Sequence, residues 1–263
     1  MNTSTQLSHR HVVITGAARG IGAAIAHTLA HAGAHLTLMG RHAEPLQALA
    51  QQLGGEVHIE TVDVSQADDV QRAFANAVQH AGPIHVLVNN AGQASSEPIE
   101  KTDLALWQQM LNVNLTGTYL CTQAALPSMK EAAAQGVAGR IINIASTAGL
   151  KGYAYVSAYT AAKHGVVGFT RALALELGSK NITVNALCPG YTETDIVKDA
   201  VAFIMQKTGK TEAQARARMT TRNPQQRMVQ PAEVAQSVLW LCSEGSQAIN
   251  GQAIAIDGGE LAG

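Results

Sequence analysis

Tyr159 and Lys163 stand four residues apart in SAYTAAKHGVVGFTRALALEL, a stretch of helical composition, so both project from one helix face. Ser146 lies just past the apolar run RIINIA, where a strand would deliver it to the carboxyl edge of a sheet. These residue types suit chemistry at a carbonyl, where a donor must protonate the oxygen as hydride reaches the carbon. A phenol with its ordinary pKa of about 10 is a poor proton-transfer partner near neutral pH, and an ammonium beside it lowers that value. A serine hydroxyl can hydrogen-bond the substrate oxygen and fix its orientation. Taken singly, a Tyr–Lys pair at this spacing is usually surface packing, and a serine at a strand end is usually a cap. The combination, downstream of a glycine-rich loop, points to catalysis. Tyr153 and Tyr155 have no lysine four residues on and read as pocket or loop residues.

That loop is TGAARGIG, placed directly between the first apolar run, His11–Thr15, and the helical AAIAHTLA. Gly16, Gly20 and Gly22 permit a tight turn and let backbone N–H groups approach a pyrophosphate held at a helix N-terminus. The spacing is G-x-x-x-G-x-G, not the commoner dinucleotide G-x-G-x-x-G.

The elements that must position these groups follow from an alternation along the chain. Apolar runs at His11–Thr15, His35–Met39, Val57–Val62, Ile84–Val88, Arg140–Ile144, Ile182–Leu187 and Ala253–Ile256 read as buried strands. Helical patterns lie between them near 21–32, 43–53, 67–80, 103–130, 157–178 and 231–243. Gly33 is placed to end the first helix, Asp103 to cap the fourth, and Pro231 to open the last. The rhythm predicts an α/β fold: a single-domain, Rossmann-type doubly wound parallel sheet of about seven strands, with helices on both faces. No linker divides residues 1–263. Residues 191–230 break the rhythm and read as a helical substrate lid.

Composition narrows the class. In 263 residues, 46% are apolar and 18 Lys+Arg nearly cancel 19 Asp+Glu, for a net charge of −1. The chain can close a core, and it lacks the basic excess of a nucleic-acid or membrane-surface protein. No apolar stretch reaches the ~18 residues of a membrane span. The polar opening MNTSTQLSHRH has no secretory apolar core. Three scattered cysteines, Cys121, Cys188 and Cys242, fit a reducing cytoplasm. His27, His31 and His35 recur every four residues, but Gly33 should end their helix and no Cys or carboxylate completes a set, so no metal is expected. No G-x-S-x-G elbow supports hydrolysis.

Together TGAARGIG, NNAG at 89–92, Asn114 in NVNLTG, Ser146 and Tyr159-x-x-x-Lys163 resemble the short-chain dehydrogenase/reductase family, from about His11 to Glu260. The resemblance implies catalysis by Asn114, Ser146, Tyr159 and Lys163, with Asn114 holding a water in the proton relay and Lys163 reaching the nicotinamide ribose. It implies coenzyme contacts from the loop, Ile21 included, from Asp63 and Val64 at adenine, and from Asn90, Ala91 and Gly92 beneath the adenosine ribose. Beyond Pro189 and Gly190, it brings Thr192, through its backbone, and Thr194 to the carboxamide; helix capping is the plainer role for these threonines. An NAD enzyme normally ends its second strand with an acid for the ribose 2′-hydroxyl, but here Gly40 and Arg41 stand there and Arg19 lies in the loop. Two guanidinium groups and no carboxylate favour NADP(H) over NAD(H).

Residues 198–227 hold seven Lys/Arg against two acids. Such a lid could draw an anionic substrate such as a coenzyme A or carrier-protein thioester, while Glu212 and Arg216 could equally form a solvated i,i+4 pair. The sequence looks most like 3-oxoacyl thioester reductases and polyketide ketoreductases, implying reduction of a ketone to a secondary alcohol. Dehydrogenation of a 3-hydroxy acid, sugar or polyol is the alternative, and a non-catalytic nucleotide sensor is the reading from another class. Family resemblance implies a homotetramer, with a dimer next.

Overall fold

The computed structural model describes residues 6–262, apart from the side chains of Ile196, Asp199, Phe203 and Ile204. Residues 1–5 of the polar opening, and the Asp199 carboxylate counted in the lid, lie outside the described residues.

Seven strands form one parallel sheet: β1 (His11–Thr15), β2 (His35–Gly40), β3 (Val57–Thr61), β4 (Val86–Asn89), β5 (Gly139–Ile144), β6 (Ile182–Pro189) and β7 (Ala253–Ile256). Their spatial order is β3-β2-β1-β4-β5-β6-β7. The order reverses between β1 and β4, which opens a crevice at the carboxyl ends where ligands gather in sheets of this kind. Alternation along β1 shows why the runs are wholly apolar: Val12 and Ile14 enter one core and Val13 the other. On the first side they meet α1 (Gly20–His31), α2 (Ala43–Leu53) and α9 (Pro231–Cys242) through Ile25, Leu29, Leu46 and Val238. On the second, Leu87, Ile141 and Val184 pack with Phe74 of α3 (Ala67–Ala81), Met129 of α5 (Gly117–Ala134) and Leu173 of α6 (Ser157–Leu177).

The expected punctuation holds. Asp103 accepts from the Leu106 N–H at 2.8 Å, opening α4 (Leu104–Leu111). Gly33 follows α1 with φ +86°, and Pro231 opens α9. The continuous helix anticipated over 103–130 is instead interrupted: a π-helical turn, Asn112–Thr116, separates α4 from α5. Periodicity misses it because one added residue leaves apolar positions on both sides in register with their own cores. The lid contains α7 (Asp195–Thr208) and α8 (Glu212–Thr220), which close a small core of Val197, Val201, Ala215, Met219 and Met228.

Candidate active site

At the carboxyl end of β1, Thr15 binds the chain across the crevice. Its hydroxyl accepts from the N–H groups of Asn90 and Ala91 at 3.1 and 3.0 Å. Asn90 returns the tie, its amide donating to the Thr15 and Gly16 carbonyls at 3.0 and 2.8 Å. The Asn90 side chain is therefore spent on holding two turns together.

Gly16 has φ +62°, and a Cβ there would lie 2.8 Å from the Ala91 Cα. A Cβ on Gly22 would fall on the Gly16 carbonyl oxygen. Side chains are excluded at both positions, which leaves the backbone bare at the start of α1. Arg19 takes the N-cap position in extended conformation, yet no side chain caps the helix. The first N–H groups of α1, next to Ile21, are thus free of side-chain partners, an arrangement that fits the phosphates of a dinucleotide. Gly20 faces Thr194, whose methyl would lie 3.2 Å from an added Cβ.

Around this cradle, Arg41 follows β2 and is exposed, as is Arg19. Past β3, one Asp63 oxygen accepts from the Ser65 N–H and hydroxyl at 2.9 and 2.7 Å. Val64 packs on Gly117 at the head of α5. Beyond Pro189, the Gly190 N–H donates to the Ile256 carbonyl at 3.0 Å. Thr192 pairs with Val229 in an isolated parallel bridge made through the Tyr191 carbonyl and the Glu193 N–H. Its own peptide groups stay out of that bridge, while its hydroxyl donates to the Gly190 carbonyl at 3.0 Å. Thr194 occupies the N-cap position of α7 without a side-chain cap bond, so capping does not account for it.

Ser146 lies beyond β5, its hydroxyl accepting from the Ala148 N–H at 3.1 Å. Tyr159 and Lys163 share a face of α6 as expected, with the Lys163 Nζ 5.7 Å from the Tyr159 ring centre. Gly92, Asn114 and Lys163 converge: a Cβ on Gly92 would lie 2.8 Å from the Asn114 Oδ1 and 3.5 Å from the Lys163 Nζ. Asn114 sits in the π turn, fully buried, its amide donating to the Gln93 and Met110 carbonyls at 2.9 and 3.0 Å. Among the described residues, no group of His, Cys, Asp and Glu could hold a metal ion.

The electrostatics differ from expectation in one respect. Burial pushes the Tyr159 phenol above its ordinary value, and a hydrogen bond with Ser146 opposes that rise. The Lys163 Nζ stands beside that ring and donates to the Ile144 carbonyl at 2.8 Å. Burial in turn pulls the Lys163 ammonium down to about 8.

Three features escaped the sequence reading. Thr15 is one, although a lone hydroxyl closing an apolar strand run was a visible signal. The second is a buried relay, in which the Asn89 amide donates to Thr122 (3.0 Å) and Asn143 (2.9 Å), and Asn143 donates to Thr170 (2.8 Å). It ties β4 and β5 to α5 and α6 behind the site. The third fixes the loop between Ser146 and Tyr159. Tyr153 donates to the Glu260 carboxylate at 2.7 Å and meets the Thr147 hydroxyl at 2.9 Å, and Lys151 pairs with Glu260 at 3.1 Å.

Three of the lid's seven basic residues are held in ion pairs. Arg216 binds Glu193 (2.7 Å) and Glu212 (2.7 Å), Arg227 binds Glu233 (2.7 Å), and Lys198 binds Asp195 (3.1 Å). Three of these partners, Glu193, Asp195 and Glu233, fall outside the 198–227 window, which is why counting within it exaggerated the excess.

Comparison with known proteins agrees with this geometry. The family model described as short chain dehydrogenase matches residues 10–204. A 3-oxoacyl-(acyl-carrier-protein) reductase FabG of Chlamydia trachomatis is 36% identical over 96% of this chain and 98% of its own. A D-beta-hydroxybutyrate dehydrogenase of Cupriavidus necator is also 36% identical, over 97% of this chain and 99% of its own. Among solved structures, a variant of actinorhodin polyketide ketoreductase crystallised with NADPH superposes with a TM-score of 0.91 at 36% identity, over 97% of this chain and 98% of the other. Fold, glycine cradle and sequence kinship agree: the chain belongs to the short-chain dehydrogenase/reductase family of oxidoreductases.

Proposed function

We propose that this protein is an NADPH-dependent reductase that converts a ketone to a secondary alcohol, with a 3-oxoacyl thioester or polyketide-like ketone as substrate. The observation that carries the reading is Tyr159 beside Ser146, one helical turn from a buried Lys163, at the carboxyl edge beside the bare glycine cradle. NADPH, when bound, supplies the hydride that reduces the carbonyl carbon. Tyr159 gives its phenolic proton to the carbonyl oxygen, so the alcohol forms with charge balanced. Ser146 holds that oxygen and steadies the phenolate left behind. Lys163 would keep a positive charge near the phenolate and reach the nicotinamide ribose, and Asn114 would hold a relay water on the path that returns a proton to Tyr159.

Gly16, Gly20, Ile21 and Gly22 would take the pyrophosphate, Asp63 and Val64 the adenine, and Asn90, Ala91 and Gly92 the adenosine ribose. Pro189, Gly190, Thr192 and Thr194 would face the carboxamide. Arg19 and Arg41, exposed with no acid at the end of β2, support NADP(H) over NAD(H) through a 2′-phosphate. The resemblance to FabG supports the thioester. Dehydrogenation of a 3-hydroxy acid is the second reading, supported by the equal resemblance to D-beta-hydroxybutyrate dehydrogenase.

Steady-state kinetics with NADPH and NADH against acetoacetyl-coenzyme A, a bicyclic ketone, 3-hydroxybutyrate and several polyols tests all of this. Preference for NADPH with the thioester or bicyclic ketone is expected. Preference for NADH defeats the Arg19–Arg41 reading, and turnover of 3-hydroxybutyrate alone selects the second. Tyr159→Phe should lose turnover while still binding NADPH; a variant that keeps turning over overturns the mechanism. A homotetramer is proposed from the exposed Leu104 (77%), Leu175 (88%) and Tyr119 (44%) on α4, α6 and α5, to be weighed by light scattering. No helix among the described residues can cross a membrane, and three free cysteines support a cytoplasmic location.

A further inference from the structure

A second cavity lies at the opposite edge of the sheet from Tyr159, where the strands begin. It has a volume of about 120 Å³ and is lined by Arg10, Val86, Gly136, Ala138, Arg140, Cys242 and Glu244, among others. Arg10 immediately precedes β1, Val86 opens β4, and Arg140 is the second residue of β5. Because β4 lies between β1 and β5, the two arginines flank one strand and converge on the same hollow.

Both guanidinium groups are incompletely satisfied. Arg140 is only 5% exposed, and its Nη1 donates to the Gly139 carbonyl at 2.9 Å. Its Nε, however, is buried without a partner, and so is the Nη1 of Arg10. Neither arginine forms an ion pair among the described residues. The Arg140 guanidinium is held below its ordinary value by burial; Cys242 opposes that lowering and the neighbouring Arg10 adds a smaller one. Glu244, the one carboxylate on the lining, is exposed and forms no ion pair among the described residues. Cys242, its thiol pushed up to about 12 by burial, offers no negative charge at neutral pH. Buried guanidinium N–H groups without acceptors are rare because each forfeits hydration and gains nothing in return. Two arginines that line one small hollow, each with such a group, form a donor set that matches the oxygens of a tetrahedral anion.

We propose that this cavity is an anion-binding site for phosphate, separate from the coenzyme and substrate positions. A bound dianion would satisfy both arginines and clasp β1 and β5 to the end of α9. It would act on stability, because the hollow lies across the sheet from the reacting groups.

Thermal unfolding of the full chain with inorganic phosphate, against sodium chloride and acetate at matched ionic strength, tests this directly. Phosphate should raise Tm saturably beyond either control. The increment should vanish in Arg140→Gln and its half-saturating concentration should rise about tenfold or more in Arg10→Gln. It should survive in Arg19→Gln, which removes a guanidinium from the glycine cradle. A phosphate effect no larger than that of chloride overturns the proposal. So does an increment that persists in both Arg10→Gln and Arg140→Gln, or one lost only in Arg19→Gln. An equal response to acetate reassigns the site from phosphate to carboxylates and also overturns it. Because the readout is the phosphate-dependent increment, a general loss of stability in either variant leaves the comparison intact.

Discussion

Lys163 carries an unusual burden for a single residue. The residue is 4% exposed, and its ammonium has the Ile144 carbonyl as its hydrogen-bond acceptor and is pulled down from 10.5 to about 8 by burial. The folded value lies below the unfolded one, so between about pH 8 and 10.5 the unfolded chain holds the extra proton and stability rises with pH. Below that window the buried charge costs about 3 kcal/mol. Lys163→Met should therefore be inactive yet more stable than the parent at pH 7, as read by urea denaturation of the coenzyme-free protein. Its midpoint should also lose the parent's rise between pH 8 and 10; an unchanged pH profile would show that the ammonium is not strained. The same value predicts that ketone reduction falls as pH rises through about 8, when Lys163 loses its charge, in a kcat profile recorded with saturating NADPH.

At the scale of elements, the glycine cradle makes a sharp prediction. Gly22→Ala sets a methyl on the Gly16 carbonyl oxygen, so loop and helix must separate, costing roughly 1–3 kcal/mol. NADPH affinity should fall with Tm, measured by fluorescence titration and thermal unfolding. Gly168→Ala, at an exposed position of α6 with nothing within 4 Å of the added Cβ, should instead raise stability by roughly 0.5–1 kcal/mol. This contrast reflects what sequence can convey. Strands buried on both faces must be apolar throughout, so His11–Thr15 and Ile182–Leu187 declared themselves, as did the Asp103 cap and Pro231 in the first turn of the last helix. Ser146, Tyr159 and Lys163 were legible because their spacing is local. The π turn at Asn112–Thr116 was not, because five ordinary helix-compatible residues carry no signal for an added one. The Asn89–Asn143–Thr170 relay was hidden for another reason: its partners come from separate strands and a helix, and only tertiary pairing explains a buried amide. Ion pairing in the lid likewise depends on partners such as Glu233 that lie outside any window one would count.

For the whole molecule, charge and topology bear on how an anionic substrate would approach Tyr159. With Lys198, Arg216 and Arg227 paired, Lys210, Arg218 and Arg222 remain exposed on the lid without an ion pair among the described residues, Arg222 standing 5.9 Å over the Tyr153 ring. Replacing these three with Gln should raise KM for acetoacetyl-coenzyme A roughly threefold to tenfold and leave KM for a neutral ketone unchanged, with the gap closing as salt is added. Equal effects on both ketones would remove steering from the account. Topology adds a different constraint through the Tyr153–Glu260 hydrogen bond, whose partners are 107 residues apart. During synthesis at about 5–20 residues per second, Tyr153 waits roughly 5–20 s for its acceptor to be made. The sheet from β1 to β6 can assemble in that interval, but the loop beside Ser146 stays untethered. A nascent chain thus forms its glycine cradle well before the loop beside Ser146 acquires its Glu260 tether.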